Sequence, residues 1–202
     1  MHNKIIGVLF VGNIMLAGST GKNISRPSSD VLAVPSVRTG GYIGIGFGEF
    51  RLKTGMTRER LSSAVGALSV GYALNDWFAV EGRYTRGFGG IRYDGGNYSV
   101  KRTTLQSTFS NLAIYAKLNL PGKEISPYIL GGYGRTRITN LSHADRSEQG
   151  WQYGVGIDLH LDPRLDLYAD WVRLYRGQGF SGRSRAERVT VSAATLGLRY
   201  RF

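Results

Sequence analysis

The sequence has no cysteine, and this absence excludes disulfide bridges and thiolate-bound metal ions. Acidic residues are scarce, because 14 Asp and Glu stand against 26 Lys and Arg and leave a net charge of +12. No apolar run approaches the roughly 20 residues that a membrane-spanning helix requires. Strands escape this hydropathy test, since only every second residue of a strand shares one face. The 202 residues are rich instead in glycine (29) and tyrosine (12), and their number suits a single domain.

The first residues of the chain have the features of an export signal. Lys4 supplies positive charge, residues 5–17 form an apolar core, and Ala17-Gly18-Ser19 offers small residues for cleavage. We therefore predict a signal peptide at residues 1–19; the alternative is a buried N-terminal helix or strand. Residues 20–39 lack clear periodicity, and we interpret them as a periplasmic lead-in or linker.

The final stretch, residues 189–202, has a clear alternation of side-chain types. One face carries Ala194, Leu196, Leu198, Tyr200 and Phe202, and the other carries Ala193, Thr195, Gly197, Arg199 and Arg201. A period of two predicts a β-strand with different surroundings on its two sides. In a soluble sandwich the apolar face would point inward, whereas in a membrane barrel it would point outward to lipid.

Seven earlier stretches alternate in a similar way. We predict strands at residues 41–48, 64–74, 78–85, 110–119, 127–135, 151–161 and 165–171. Short turns alternate regularly with long polar connections. The long connections are residues 53–61, 86–106, 136–149 and 176–188. This regularity is typical of an all-β fold, an eight-stranded antiparallel up-and-down transmembrane β-barrel, here over residues 40–202. The alternative is a soluble sandwich with the aromatic residues in its core.

Two strands do not fit a single alternation. In the first strand the apolar residues change face after Gly48, because Phe50 and Leu52 take the face that glycine occupied before. We predict a one-residue β-bulge near Gly48, which would restore the pattern. The fifth strand, residues 127–135, leaves its inward and outward faces undecided.

The chain resembles the small eight-stranded outer-membrane β-barrel family, of the OmpA transmembrane-domain, OmpX and opacity-protein type. The matching pieces are the glycine-rich first strand, Ser126-Pro127-Tyr128 at the start of the fifth strand, and the alternating apolar ending. The resemblance implies a monomer in the bacterial outer membrane, in contact with its lipid. It also implies that Leu198, Tyr200 and Phe202 form the signal that the barrel-assembly machinery reads.

Charged residues on the predicted inner face form a candidate network. They are Glu81, Lys117, Asp158, His160, Asp166, Asp170, Arg199 and Arg201. An eight-stranded barrel has an interior that side chains can fill, and unpaired charges there are costly. We therefore expect these acids and bases to pair and close the lumen. The alternative is a gated, porin-like narrow channel or a proton path.

The sequence offers little for catalysis, and we predict no enzyme, no metal site and no cofactor. Gly44-x-Gly46-x-Gly48 is not a nucleotide fingerprint, because no helix follows it. A lipid A-modifying barrel enzyme is the alternative, since such enzymes use His, Ser and an acid. His143, with Asp145 and Ser142 or Ser147, is the candidate group for that chemistry.

Basic residues are concentrated in and near the predicted external loops. The candidates for anion binding are Arg86, Arg92, Arg102, Arg176, Arg183, Arg185 and Arg188, with Arg83, Lys101, Arg135, Arg137 and Arg146 in or near the same loops. On an exported barrel this charge would face the phosphates of lipopolysaccharide, or anionic host or matrix polymers, and not nucleic acid. We predict a structural or surface-interaction role; the alternative is solvated loops without a specific partner.

Overall fold

The computed structural model describes residues 39–54, 60–94, 103–105, 108–141, 144–177 and 189–202. The predicted signal peptide and residues 20–38 of the predicted lead-in lie outside these ranges. The strands are β1 (Gly40–Thr54), β2 (Arg60–Ala73), β3 (Phe78–Asp94), β4 (Thr103–Leu105), β5 (Thr108–Asn119), β6 (Ile125–Leu141), β7 (Ala144–Asp162), β8 (Leu165–Gly177) and β9 (Val189–Arg201). In the described part of the chain, no helix is long and apolar enough to cross a membrane.

The strands form a closed antiparallel barrel. Each pairs with its neighbour in sequence, except that β4 and β5 both pair with β3, and β1 closes the circle by pairing with β9, where Gly44 faces Arg199. The short β4 continues β5, because Ile91 pairs with Leu105 in the same register in which Arg86 pairs with Ser110. Counting β4 and β5 as one gives eight barrel strands, which confirms the predicted fold.

The two ends of the barrel differ in how the strands are joined. Three tight connections follow β2, β5 and β7; in the first, the Asn75 side chain accepts hydrogen bonds from the backbone of Trp77 (2.9 Å) and Phe78 (2.7 Å). We call this end periplasmic and the other external, following the usual arrangement of outer-membrane barrels. At the external end, the predictions of long loops at 86–106 and 136–149 are wrong for much of their length. β3 runs on to Asp94 and the β6–β7 hairpin is paired up to Leu141 and Ala144, so these backbone groups keep their strand partners.

The alternation predicted for most strands is confirmed. Large apolar side chains lie exposed on the outer face of every long strand, while their sequence neighbours are buried in the lumen. The undecided strand, β6, has Tyr128 and Leu130 buried inside and Ile129 and Tyr133 exposed outside. The outer surface is therefore an apolar band suited to lipid.

The predicted bulge near Gly48 is wrong. β1 pairs with β2 from Gly40 to Lys53 without a register shift, and its pairing with β9 is equally regular. Beyond Phe47 the outer face simply becomes polar while Phe50 is fully buried inside, stacked on Phe109 at 4.1 Å between ring centroids. The strand extends above the apolar band, where water replaces lipid outside and the two faces exchange polarity.

Candidate functional site

Six charged side chains fill the middle and the periplasmic half of the lumen. They are Glu81, Arg83, Lys117, Asp158, Asp170 and Arg199, each at most 7% exposed. The alternation of the strands positions all six, because each lies at an inward-facing strand position. We call this group the lumenal charge network.

The network is joined by short ion pairs across the barrel. Arg199 donates to Asp158 (2.5 Å) and to Glu81 (3.3 Å), and Lys117 donates to the second oxygen of Asp158 (2.5 Å). Arg83 bridges Glu81 and Asp170 at 2.7 Å each. Three carboxylates thus meet three cations, so the network is formally neutral and offers no excess charge to a passing ion.

Arg83 belongs to the lumen and not to the external loops with which its place in the sequence groups it, and this corrects the prediction. Its side chain is 3% exposed and lies deep in the lumen, because β3 is long and residue 83 occupies its inward face. The alternation of β3 already placed residue 83 inside; only its proximity to a loop suggested otherwise.

Tyrosines and glycines together make room for these charges. Tyr42 donates to Glu81 at 2.9 Å, and the Arg199 guanidinium lies 4.7 Å from the ring centroid of Tyr168. A Cβ atom at Gly71 would collide with the Tyr42 ring, and one at Gly46 would collide with Tyr168. Glycine on one strand therefore lets a tyrosine ring lie against the inner wall and reach the network.

A second cluster closes the periplasmic end of the lumen. Ser126 Oγ lies 2.8 Å from His160 Nε2, His160 Nδ1 lies 2.6 Å from Asp166, and Arg201 donates to the other oxygen of Asp166 at 2.8 Å. We call this chain of contacts the periplasmic clasp. It joins β6, β7, β8 and β9 through one residue each.

The clasp contains the residue types of a serine hydrolase. His160, Asp166 and Arg201 belong to the inner charge network predicted from the sequence, whereas Ser126 is an addition from the structure. Its surroundings favour a structural role: Ser126 Oγ also accepts a hydrogen bond from the Gly122 backbone at 3.1 Å and is covered by that turn. Asp166 also forms an ion pair with Arg201, which neutralises part of the negative charge that faces His160. The Ser126-Pro127-Tyr128 motif was visible in the sequence, but its partner His160 could be identified only from the strand register.

Polar and then apolar side chains fill the lumen above the charge network. Gln152 donates to Asn111 at 2.8 Å, Thr136 donates to Asn111 at 2.9 Å, and Tyr115 donates to Gln152. An apolar plug completes the external half; its members include Phe50, Leu52, Val65, Phe109, Ile138, Val172, Leu174, Val189 and Val191. This plug is not predicted from the sequence, because the change of parity in β1 is interpreted there as a bulge.

On the outer surface, three arginines each follow an exposed aromatic residue on the same face of their strand; on β3 a further exposed aromatic residue, Phe88, lies beyond the arginine. The pairs are Tyr84 and Arg86 on β3, Tyr133 and Arg135 on β6, and Trp171 and Arg173 on β8, each two residues apart on the same face. Arg173 donates to Tyr153 and its guanidinium lies 5.4 Å from the Trp171 ring centroid. Arg135 donates to Ser147 at 2.6 Å, and Arg86 is exposed. We call Arg86, Arg135 and Arg173 the arginine belt.

Only some of the predicted loop residues fall in the described part of the chain. Arg86 and Arg176 are exposed, and Arg92 lies on β3. Arg102, Arg183, Arg185 and Arg188 lie outside the described residues, as do Ser142 and His143 of the candidate enzyme group. Of that group, Asp145 lies on β7, and Ser147 accepts a hydrogen bond from Arg135 of the arginine belt.

The residues of the predicted assembly signal share the outer face of β9. Leu198, Tyr200 and Phe202 are 43%, 42% and 75% exposed, and the last two rings meet edge to face at 5.8 Å between centroids. Phe202 also donates its backbone N–H to Gly41 at 3.0 Å, which fixes the end of β9 against β1. Recognition by the assembly machinery stays a prediction.

Comparison with known proteins agrees with this architecture. No curated protein sequence matches the chain. Neisserial surface protein A (NspA) has a solved structure that is 17% identical, with a TM-score of 0.57 over 81% of this chain and 97% of that chain. OprG, an outer membrane protein from Pseudomonas aeruginosa, is 14% identical, with a TM-score of 0.53 over 82% and 97%. These two similarities show the same fold, and the model of the outer membrane protein beta-barrel domain matches residues 31–202. The chain therefore belongs to the outer membrane protein β-barrel family.

Proposed function

We propose that this barrel is a surface-interaction protein of the outer membrane, whose outward-facing arginines bind the phosphate groups of lipopolysaccharide. The observation that carries the proposal is the arginine belt, each member of which lies two residues from an outward-facing aromatic residue of β3, β6 or β8, toward the external end. Aromatic side chains of this kind mark the boundary between lipid tails and head groups. The belt therefore lies at the level of the outer head groups.

The chemistry of the belt suits phosphate. A guanidinium presents several donors in a fixed plane and can bind two oxygens of one phosphate. Arg86, Arg135 and Arg173 belong to three different strands, so together they address a wide arc of the surrounding leaflet. Outside the belt, the exposed Arg137 and Arg176 extend the same positive surface away from the membrane.

The packing of the lumen supports a closed barrel over a channel. The lumenal charge network is formally neutral and buried, and the apolar plug lies above it. An ion would have to displace paired charges and then cross an apolar layer, which is costly. We expect no steady conductance when the protein is inserted into planar bilayers, and a stable open level would favour the channel instead.

The proposed binding is tested with the refolded barrel in lipid nanodiscs, titrated with lipopolysaccharide across a salt series. One variant carries Arg86→Gln and Arg135→Gln. Its matched control carries Lys123→Gln and Arg164→Gln, which remove two exposed positive charges from the periplasmic turns. We expect the belt variant to bind about tenfold more weakly at low salt, because two charge-assisted contacts are lost, and the control to bind as the wild type does.

Dephosphorylated lipopolysaccharide completes the design. Binding by the wild type should fall to the level of the belt variant when the phosphates are removed. If both double variants bind equally, or if the phosphates make no difference, the belt is solvated charge and the proposal fails.

A further inference from the structure

A groove of about 520 Å³ runs across the outer face of the barrel. It lies between two rows of outward-facing side chains that are cross-strand partners of one another. The lower row passes from Ile43 on β1 to Tyr133 on β6, and the upper row from Leu68 on β2 to Gln149 on β7. Neighbouring strands are about 4.8 Å apart, so the groove is roughly 20 Å long.

Gly82 is the one residue of the lower row without a side chain. Its partners in the lower row are Val70 and Ile114, both large and exposed, so the missing side chain leaves a gap between them. A Cβ atom at Gly82 would find no heavy atom closer than the Val70 carbonyl at 3.8 Å. The gap is therefore open toward the surroundings of the barrel.

The groove changes character along its length. Ile43, Val70 and Ile114 lie in the apolar band, whereas the far end reaches Arg135 of the arginine belt and Gln149. Arg135 is exposed and is held by its bond to Ser147. An apolar groove that ends at a guanidinium group suits a molecule with a long hydrocarbon chain and an anionic head group.

We propose that this groove holds one acyl chain of lipid A, whose phosphate is bound by Arg135. The inference rests on the proposed function and adds to it a specific binding site for the hydrocarbon chain. Bulk lipid tails are as apolar as the groove, so the preference comes from close packing of the chain against its walls. Filling the gap at Gly82 should remove that packing without touching the phosphate contact.

The test compares Gly82→Leu with Gly131→Leu, using nanodisc-inserted protein from which bound lipid A is counted by native mass spectrometry. Gly131 is a matched control, because it is also an outward-facing glycine in mid-strand and does not line the groove, and a Cβ atom added there would meet no heavy atom within 4 Å. We expect Gly82→Leu to lower lipid A retention about fivefold and Gly131→Leu to leave it unchanged. Gly82→Ala should give a smaller loss in the same direction.

Two further probes separate the failure of this inference from failure of the proposed function. A deacylated, phosphorylated oligosaccharide from lipopolysaccharide should bind Gly82→Leu normally but bind Arg135→Gln weakly. Equal retention of lipid A by both glycine variants, or an equal loss of phosphatidylglycerol from Gly82→Leu, would overturn the groove while leaving the belt in place. If Arg135→Gln keeps full affinity for the oligosaccharide, the phosphate end of the groove fails; the proposed function fails as well only if the double variant Arg86→Gln and Arg135→Gln also binds normally. An unboiled gel, on which every variant must migrate as the folded barrel does, controls for folding.

Discussion

The membrane-level and the external parts of this barrel are built on the same strands with opposite polarity. In β1, Ile45 and Phe47 point outward and are exposed, while two residues later Glu49 points the same way. Inside, the order is reversed: charges such as Glu81 lie at membrane level, and Phe50 fills the external half. Where lipid surrounds the barrel the interior is charged, and where water surrounds it the interior is apolar.

Two ion pairs of identical spacing illustrate the difference. Glu81 and Arg83 lie two residues apart on the inner face of β3, and Glu49 and Arg51 lie two residues apart on the outer face of β1. The first pair is 0% and 3% exposed, whereas the second is 43% and 61% exposed. The same chemistry thus occurs once within the lumenal charge network and once in water.

Replacing the acid of each pair gives the largest expected contrast. Glu81→Gln would leave Arg83 and Arg199 with too little negative charge in a buried site, and we expect a loss of about 3–5 kcal/mol in unfolding free energy. Glu49→Gln should cost about 0–1 kcal/mol, because water screens the exposed pair. Urea unfolding in lipid vesicles measures both, and similar costs for the two variants would show that burial does not govern the pairs.

A lysine introduced on the outer face tests where the apolar band ends. Ala116 lies on the outer face of β5 within the apolar band, and Ser192 lies on the outer face of β9 beyond it. We expect Ala116→Lys to destabilise the barrel by about 2–4 kcal/mol and Ser192→Lys by about 0–1 kcal/mol, since the cost of a lysine falls toward the interface. The same vesicle unfolding assay applies, and a cost for Ser192→Lys as high as for Ala116→Lys would move the edge of the band upward.

The smallest effect is expected at a neutral link. Ser126→Ala removes the hydroxyl of the periplasmic clasp, and we expect a loss of about 1 kcal/mol, typical of one hydrogen bond. Ser63→Ala is the matched control in the external half, because Ser63 is also buried but its hydroxyl makes only long contacts of 3.2 and 3.4 Å. It should cost less.

The same serine decides whether the clasp is structural. We expect no covalent labelling of Ser126 by a fluorophosphonate probe in the folded protein, because the turn at Gly122 covers the hydroxyl. Stable labelling at Ser126 that disappears in Ser126→Ala would make the clasp a nucleophilic site.

Much of the fold could be predicted because a strand has a period of two and the apolar band imposes it. The alternation placed Val70, Ile114 and Ile157 outside and Asp158 inside, as the structure has them. It failed where the band ends, since sequence alone carries no mark of the height at which lipid gives way to water. The wrong prediction of a bulge near Gly48 follows from not knowing at which residue the apolar band ends.

Other features depend on contacts between distant strands. β6 has apolar residues on both faces, Leu130 inside and Ile129 outside, so only its pairing with β5 and β7 shows which face is which. The clasp joins Ser126 to His160, 34 residues along the chain, and a one-residue error in register would separate them. The arginine belt could be recognised only once the outward face of each strand, with its aromatic residues, was known.

Because Arg199 lies on β9, a chain that lacks β9 also lacks one cation of the lumenal charge network. The acids that it neutralises, Glu81 and Asp158, are translated earlier, on β3 and β7. A chain terminated prematurely before β9 would retain both acids without this guanidinium and would leave β1 and β8 with open edges. We expect such a product to insert poorly into the membrane and to be degraded by envelope proteases. Only chains that include β9 should therefore accumulate.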